Sequence, residues 1–221
     1  MTFEFLDVGQ GDSILITTTA GKFILIDGGG DYTADRLLFE RQRLLSGCHL
    51  DVVILTHEHA DHSVGLERIL KRCTAGTYKK LYKGDLLRID GLELHVLWPP
   101  EKSYTPSDIN DTSTVILADY GFFEVLLTGD AGSTVLSSLD KGKLDNLIQN
   151  GLDILKVSHH GSKTGLDKSF LRKYTPRYAV IQVGEGNKFG LPDEEVLDFL
   201  GGIGSEIYRT DMQGTVEIKA F

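Results

Sequence analysis

The segment Thr56-His57-Glu58-His59-Ala60-Asp61-His62 concentrates side chains that can hold a metal ion. His57, His59, Asp61 and His62 fall within six residues, and three of them belong to the chain's seven histidines. His57 and His59 alternate, so an extended backbone points both to one side, where they can grip a single ion. Asp61 and His62 begin the next turn and can reach a second ion. Imidazole nitrogen suits zinc, iron or manganese, and a carboxylate adds a hard oxygen donor. A polar surface loop does not account for so dense a cluster.

Two more segments share this chemistry. Thr128-Gly129-Asp130 follows the apolar run Phe122–Leu127, and Lys156-Val157-Ser158-His159-His160-Gly161-Ser162 closes the run that starts at Ile154. Taken alone, Asp130 could cap a following helix, and adjacent histidines could simply be solvated. Taken together, the three segments repeat one plan, an apolar strand with ligand-type residues at its C-terminal end, where sheets commonly carry their sites. They supply enough ligands for two divalent ions, with Asp130 as a bridge.

Such residues need short buried strands to position them. Val52–Leu55 is fully apolar, as a strand covered on both faces is. The opening reads as strands over Phe3–Val8, Ser13–Thr18 and Lys22–Asp27, then a helix bearing Leu37, Leu38, Leu44 and Leu45. A polar loop, Thr56–Ser63, leads to a helix with Leu66, Ile69 and Leu70. Strands are predicted over Leu86–Ile89, Leu92–Leu97, Thr114–Asp119 and Phe122–Thr128, with Trp98–Thr112 as a long surface loop. The second half turns to a βαβ rhythm, with strands at Ile154–Ser158, Tyr178–Val183, Glu206–Arg209 and Thr215–Lys219. Helices fall at Asp167–Tyr174 and at Asp193–Gly201, the latter capped by Asp193. Antiparallel meanders joined to helical crossovers predict an α/β fold of two sheets with helices outside.

A length of 221 residues fits one domain over 1–221. Hydrophobic residues at 41% and charged residues at 25% exclude disorder, collagen and coiled coil. No apolar stretch approaches the ~20 residues of a membrane helix, and the N-terminus reads as a strand rather than a signal peptide. The net charge, 23 − 32 = −9, argues against strong nonspecific binding to nucleic acid or membrane surfaces. It does not exclude chemistry on phosphates, because metal cations make their own positive field. Cys48 and Cys73 are too few for a disulfide framework or a thiolate zinc site and are expected to be buried or inert.

The set HxHxDH at His57–His62, TGD at Thr128–Asp130 and HHGS at His159–Ser162 resembles the metallo-β-lactamase superfamily. More narrowly, the chain is similar to the C-terminal domain of the ComEC/Rec2 DNA-uptake proteins and their freestanding relatives. That similarity rests on Phe5-Leu6-Asp7-Val8-Gly9-Gln10-Gly11-Asp12, Leu25-Ile26-Asp27-Gly28-Gly29, Asn110-Asp111-Thr112-Ser113, Gly186-Asn187-Lys188-Phe189-Gly190-Leu191-Pro192 and Tyr208-Arg209-Thr210-Asp211-Met212-Gln213-Gly214. The resemblance implies an αββα four-layer sandwich. It implies that His57 and His59 hold one metal, Asp61 and His62 the other, that Asp130 bridges and that His160 completes the second site. Many members carry another histidine in the loop before the TGD strand, where this chain reads Asn110-Asp111-Thr112-Ser113. Asn110, with Asp111 as the alternative, is expected to take that position, so the first site is expected to be weaker or harder, favouring manganese over zinc. Asp27 is expected to orient the ligand loop, and Gly28, Gly29 and Gly30 to form a turn. Asp61 and His159 are the candidate catalytic residues, and Asn110, Ser113, Ser162 and Asn187 the candidate substrate contacts. Gln10, Asp12 and Thr210 are further candidates to line the site, whereas His95 reads as structural.

The expected activity is metal-dependent hydrolysis of a phosphodiester, as a phosphodiesterase or as a nuclease with DNA as its substrate, by a hydroxide bridging two zinc or manganese ions. A small-molecule hydrolase acting on a phosphocholine ester, cyclic nucleotide or lactone is the alternative, and a binding module with a vestigial site the third reading. Met1 just ahead of the first strand leads to the expectation of a freestanding cytoplasmic chain. A chain excised from a membrane competence protein would instead work outside the cytoplasm.

Overall fold

The apolar runs become two sheets, one in each of two compact units. The computed structural model describes residues 1–31, 33–42, 48–149 and 151–220, so Leu44 and Leu45 lie outside the described residues. The first unit takes Met1–Lys80, Gln182–Asn187 and Arg209–Phe221, and the second takes Leu81–Ile181 and Lys188–Tyr208.

In the first unit, β1 (Thr2–Phe5), β2 (Ile14–Thr17) and β3 (Phe23–Ile26) form an antiparallel meander. After α1 (Thr33–Gln42), β4 (Cys48–Ile54) joins β3 in parallel, with Ile26 opposite Ile54. Asp27 and the Thr56–His62 segment therefore leave the sheet at the same edge. Val52, Val53 and Ile54 are buried, as their unbroken apolar run requires. Helix α2 (Ala60–Arg72) turns His62, Gly65, Leu66 and Ile69 inward, and Leu66 and Ile69 pack with Leu25, Leu38, Leu50 and Val53.

Strand β5 (Cys73–Tyr78) follows directly and pairs in parallel with β4. Its sequence, Cys-Thr-Ala-Gly-Thr-Tyr, hides it from hydrophobic patterning, because an edge strand needs little apolar cover. Cys48 and Cys73 stand opposite each other in this pairing, and both are buried. They are joined by a disulfide, with Cα atoms 4.3 Å apart, which corrects the expectation of two inert thiols. Opposed register positions in adjacent strands bring the two sulfur atoms within bonding reach, a proximity that residue spacing alone does not reveal.

The second unit contains β6 (Leu86–Ile89), β7 (Leu92–Trp98), β8 (Val115–Asp119), β9 (Glu124–Leu127), α3 (Ser133–Ser138), α4 (Lys141–Leu147), β10 (Leu152–Lys156), α5 (Lys168–Lys173), β11 (Pro176–Ile181), α6 (Glu194–Gly202) and β12 (Glu206–Arg209). Its sheet runs in the order β12-β11-β10-β9-β8-β7-β6. Strands β6 to β9 are antiparallel, whereas β10 lies parallel to both β9 and β11. Leu127 faces Lys156 across β9 and β10, so the TGD and HHGS segments emerge side by side. Asp193 is the N-cap residue of α6, but its carboxylate accepts the Lys163 N–H at 2.7 Å instead of capping the helix. The chain then returns to the first unit through α7 (Thr210–Gln213) and β13 (Val216–Lys219), giving a sheet ordered β13-β1-β2-β3-β4-β5.

Glu124, at the start of β9, is buried. Burial first, then the nearby Asp153 and Asp119, push its carboxyl up from 4.5 to about 7. An acid whose pKa rises on folding stabilises the folded state while protonated, fully below its unfolded value, and that contribution is lost as pH rises through the folded value. Stability should therefore decline between pH 4.5 and about 7 in wild type, and Glu124→Gln should flatten that part of the profile. Urea titrations across this range provide the check, and equal slopes in both proteins would refute the assignment.

Candidate metal centre

In the first unit the ligand segment hangs on Asp27. Its carboxylate accepts the Thr56 N–H at 2.8 Å and the Thr56 hydroxyl at 2.6 Å, and lies 2.7 Å from His62 Nδ1. Asp27 adopts φ 58°, a left-handed conformation that a non-glycine residue keeps only where its surroundings impose it. Burial raises its pKa, against the opposing pull of His62. With Nδ1 turned to Asp27, His62 has Nε2 as its nitrogen for a metal, the usual division of labour in carboxylate–histidine–metal relays. Asp12 stands on the same side, 3.8 Å from His62 Nδ1, and offers a further carboxylate within 4.8 Å of the Asp27 and His62 donor atoms.

The imidazoles gather around His57. Its ring centroid lies 4.9 Å from that of His59 and 4.1 Å from that of His62. His57 and His62 are fully buried. The polar loop expected over Thr56–Ser63 is shorter than that: α2 begins at Ala60 with His59 as its N-cap, so Asp61 and His62 occupy the first helical turn. Asp61 fits there because a carboxylate suits the positive end of the helix dipole. The backbone of this turn is held from two sides. Asp12 N–H donates to Asp61 O at 3.2 Å, Gly28 N–H to His62 O at 2.8 Å, and Gly65 N–H to Gly29 O at 3.0 Å. Gly29 takes the positive φ of 76° expected of the turn, whereas Gly28 serves close approach, since a Cβ there would collide with the Leu66 backbone.

In the second unit, Asp130 is not a helix cap, because α3 starts later with Gly132 as its N-cap. Asp130 N–H donates to Ser113 Oγ at 3.0 Å. Its Oδ2 lies 3.4 Å from His160 Nε2 and 4.0 Å from His159 Nε2. His159 and His160 both have positive φ, 49° and 53°, so the backbone is bent against preference to present two rings in succession. His159 is partly exposed, with Nδ1 3.0 Å from Thr164 Oγ1, and burial lowers its pKa. Asn110 sits in the short turn Ile109–Thr112, whose N-cap Asp108 accepts the Asn110 N–H at 3.0 Å. Ser113 N–H donates to Asn110 O at 2.9 Å, which ties this turn to the TGD segment.

Other expected site residues have plainer surroundings. Ser113 is fully buried beneath Asp130, and Ser162 Oγ lies 2.9 Å from Thr164 Oγ1. Asn187, which belongs to the first unit, donates through Nδ2 to Gly184 O at 3.1 Å. Gln10 Oε1 accepts the Gly184 N–H at 3.3 Å, and Thr210 Oγ1 exchanges hydrogen bonds with the Val183 backbone. His95 lies in β7 with Nε2 3.1 Å from Glu93. The residue that pattern reading passed over is Lys156, a fully buried lysine at the end of β10. Its signal was a cation inside an apolar strand immediately before the paired histidines.

The donors fit divalent metal ions. One unit gathers three imidazoles backed by carboxylates, and the other sets a carboxylate beside an imidazole, a mixture suited to zinc or manganese. Asn110 Oδ1 is buried and has no hydrogen-bond partner among the described residues, as an oxygen donor reserved for a cation would be.

Residues 6–93 match the family model of the metallo-β-lactamase superfamily. ComE operon protein 3 of Bacillus subtilis is 27% identical over 98% of this chain and 32% of its own length. Recombination protein 2 of Haemophilus influenzae is 32% identical over 99% of this chain and 29% of its own. The chain thus spans about a third of the length of the curated relatives it matches. Among solved structures, the metallo-β-lactamase fold protein YhfI of Bacillus subtilis superposes with a TM-score of 0.60 at 12% identity, covering 98% of this chain and 99% of that one. No helix among the described residues is long and apolar enough to cross a membrane. The αββα class expected from the motifs is that of this fold, and the chain belongs to the metallo-β-lactamase superfamily as a relative of the competence proteins.

Proposed function

We propose that this chain is a phosphodiesterase that uses two divalent metal ions, held by His57, His59, Asp61, His62, Asp130 and His160 within a single hydrolase domain. The observation that carries this reading is the division of the donors. The first unit offers a three-imidazole group, and the second an Asp130–His160 pair 3.4 Å apart, each on a backbone bent or braced to present it. Metal ions bound there would supply a nucleophile at neutral pH by lowering the pKa of water from 15.7 towards about 7.

The chain's own residues do the rest. Asp27 and Thr56 fix the orientation of His62, and Ser113 fixes the backbone of Asp130. His159, neutral near pH 7 because burial lowers its pKa, can donate a hydrogen bond to a phosphoryl or leaving-group oxygen. Asn110 contributes an amide oxygen, a donor that manganese accepts more readily than zinc does. A phosphodiester carries one negative charge and gains from a cationic site before any charge develops, whereas a lactone does not. The relationship to competence and recombination proteins makes DNA a candidate substrate. With a net charge of −9, DNA cleavage would rest on a few local basic contacts and should fall steeply with salt.

The test is a panel of metal-loaded protein against bis-p-nitrophenyl phosphate, a phosphomonoester, p-nitrophenyl phosphorylcholine, a lactone and single- and double-stranded DNA. Diester turnover should exceed that of monoester and lactone, and should be greater with manganese than with zinc. Cleavage of lactones or monoesters without any diester would favour the small-molecule reading, to which the acidic net charge is better suited.

A further inference from the structure

Lys156 carries a charge that the proposed chemistry has not yet used. Its side chain is fully buried, and burying an ammonium is costly unless it is paired. Its contacts include two groups of the TGD segment. Nζ donates to Gly129 O at 2.9 Å and stands 3.6 Å from Asp130 Oδ1. The imidazoles of His160 and His159 face the other oxygen, Oδ2. The carboxylate is therefore divided, with one oxygen toward a fixed ammonium and the other toward the ligand side.

Resting on the reading of Asp130 as a metal ligand, we propose that Lys156 is a positioning residue that also acts as a resident cation of the site. Its ammonium faces Asp130 Oδ1 as an ion pair across 3.6 Å, leaving Oδ2 on the imidazole side, and its charge trades metal affinity for attraction of an anionic substrate. Through Oδ2 a metal ion would sit one carboxylate away from the ammonium. Like charges at that range in a poorly solvated interior repel, so the lysine weakens metal binding. The same charge adds to the field that an anionic phosphodiester enters.

This gives Lys156 an unusual signature, since its loss should tighten one ligand and loosen another. A lysine that merely buttressed the turn would weaken both when removed. Lys156→Met keeps most of the volume without charge, Lys156→Gln keeps a donor for Gly129 O without charge, and Lys156→Arg keeps the charge. Manganese and zinc affinities of the full chain would be read by chelator competition, alongside KM for bis-p-nitrophenyl phosphate and for a neutral p-nitrophenyl ester. In the Met and Gln variants the metal Kd should fall by about tenfold or more, while KM for the diester rises by a similar factor. KM for the neutral ester should stay within about twofold. Lys156→Arg should hold the metal Kd near wild type, and if the Met variant does not fold, the Gln and Arg pair still separates charge from hydrogen bonding. An unchanged or raised metal Kd in both Met and Gln variants overturns the proposal. If wild type binds metal but cleaves no diester, the phosphodiesterase reading fails while the metal measurement still decides the role of Lys156.

Discussion

Asp61→Ala should abolish hydrolysis while leaving the fold intact. Asp61 lies in the first turn of α2 and is only half-buried, so its side chain carries little of the core packing. Its loss removes a favourable charge from the helix N-terminus, worth about 0.3–1 kcal/mol, too little to unfold a domain. As a ligand it should matter far more. Activity should drop by at least on the order of 10³-fold, because losing even a single oxyanion donor from an enzyme costs about 10²–10³. Metal content should fall with it, whereas far-ultraviolet circular dichroism stays unchanged. Wild-type turnover with full metal content in this variant would remove Asp61 from the ligand set.

The second large effect is expected at Gly65. A Cβ there would collide with the Gly28 carbonyl and lie 2.7 Å from Asp31 O, and both obstacles are backbone. Helix α2 would have to retreat from the Gly28–Gly29 turn, breaking the Gly65 N–H to Gly29 O bond. Overpacking of this kind costs about 1–3 kcal/mol, and the upper end is expected because no side chain can yield. Since the same helix carries Asp61 and His62, metal affinity should fall as well. Gly201, inside α6 with open space around its Cβ position, provides the contrast. Gly201→Ala should be neutral or stabilising by up to about 1 kcal/mol. Urea midpoints of the two variants decide the matter, and a Gly65→Ala protein as stable as wild type would show that the close approach is dispensable.

Much of the candidate site was legible because its ligands follow apolar strands. Val52–Leu55 announces a buried strand, and the histidines that follow cannot be explained as cover for it. The side chains of HxHxDH were readable, but the position of the helix start was not. Ala60, Asp61 and His62 carry no apolar periodicity, so α2 became visible only from Leu66 onward. Strand β5 escaped for a related reason, having a polar sequence at a sheet edge. Helices α3 and α4 are too short to display a period. The cysteine pair and the Lys156–Asp130 contact depend on which strands become neighbours, and spacing along the chain does not encode that. Asp27 could be assigned an orienting role from its motif, but its simultaneous hold on Thr56 and His62 emerges only when β3 and β4 lie in parallel register.

The Cys48–Cys73 bond, with a sequence separation of 25, encloses His57, His59, Asp61 and His62 in a covalent ring. A protease that cut once anywhere inside that ring would not release the ligand segment. Each new end would stay fastened to its own strand, one through β4 and the other through α2 and β5, and the two strands would remain linked. Nicked protein would migrate as intact chain until a thiol reductant separated the pieces.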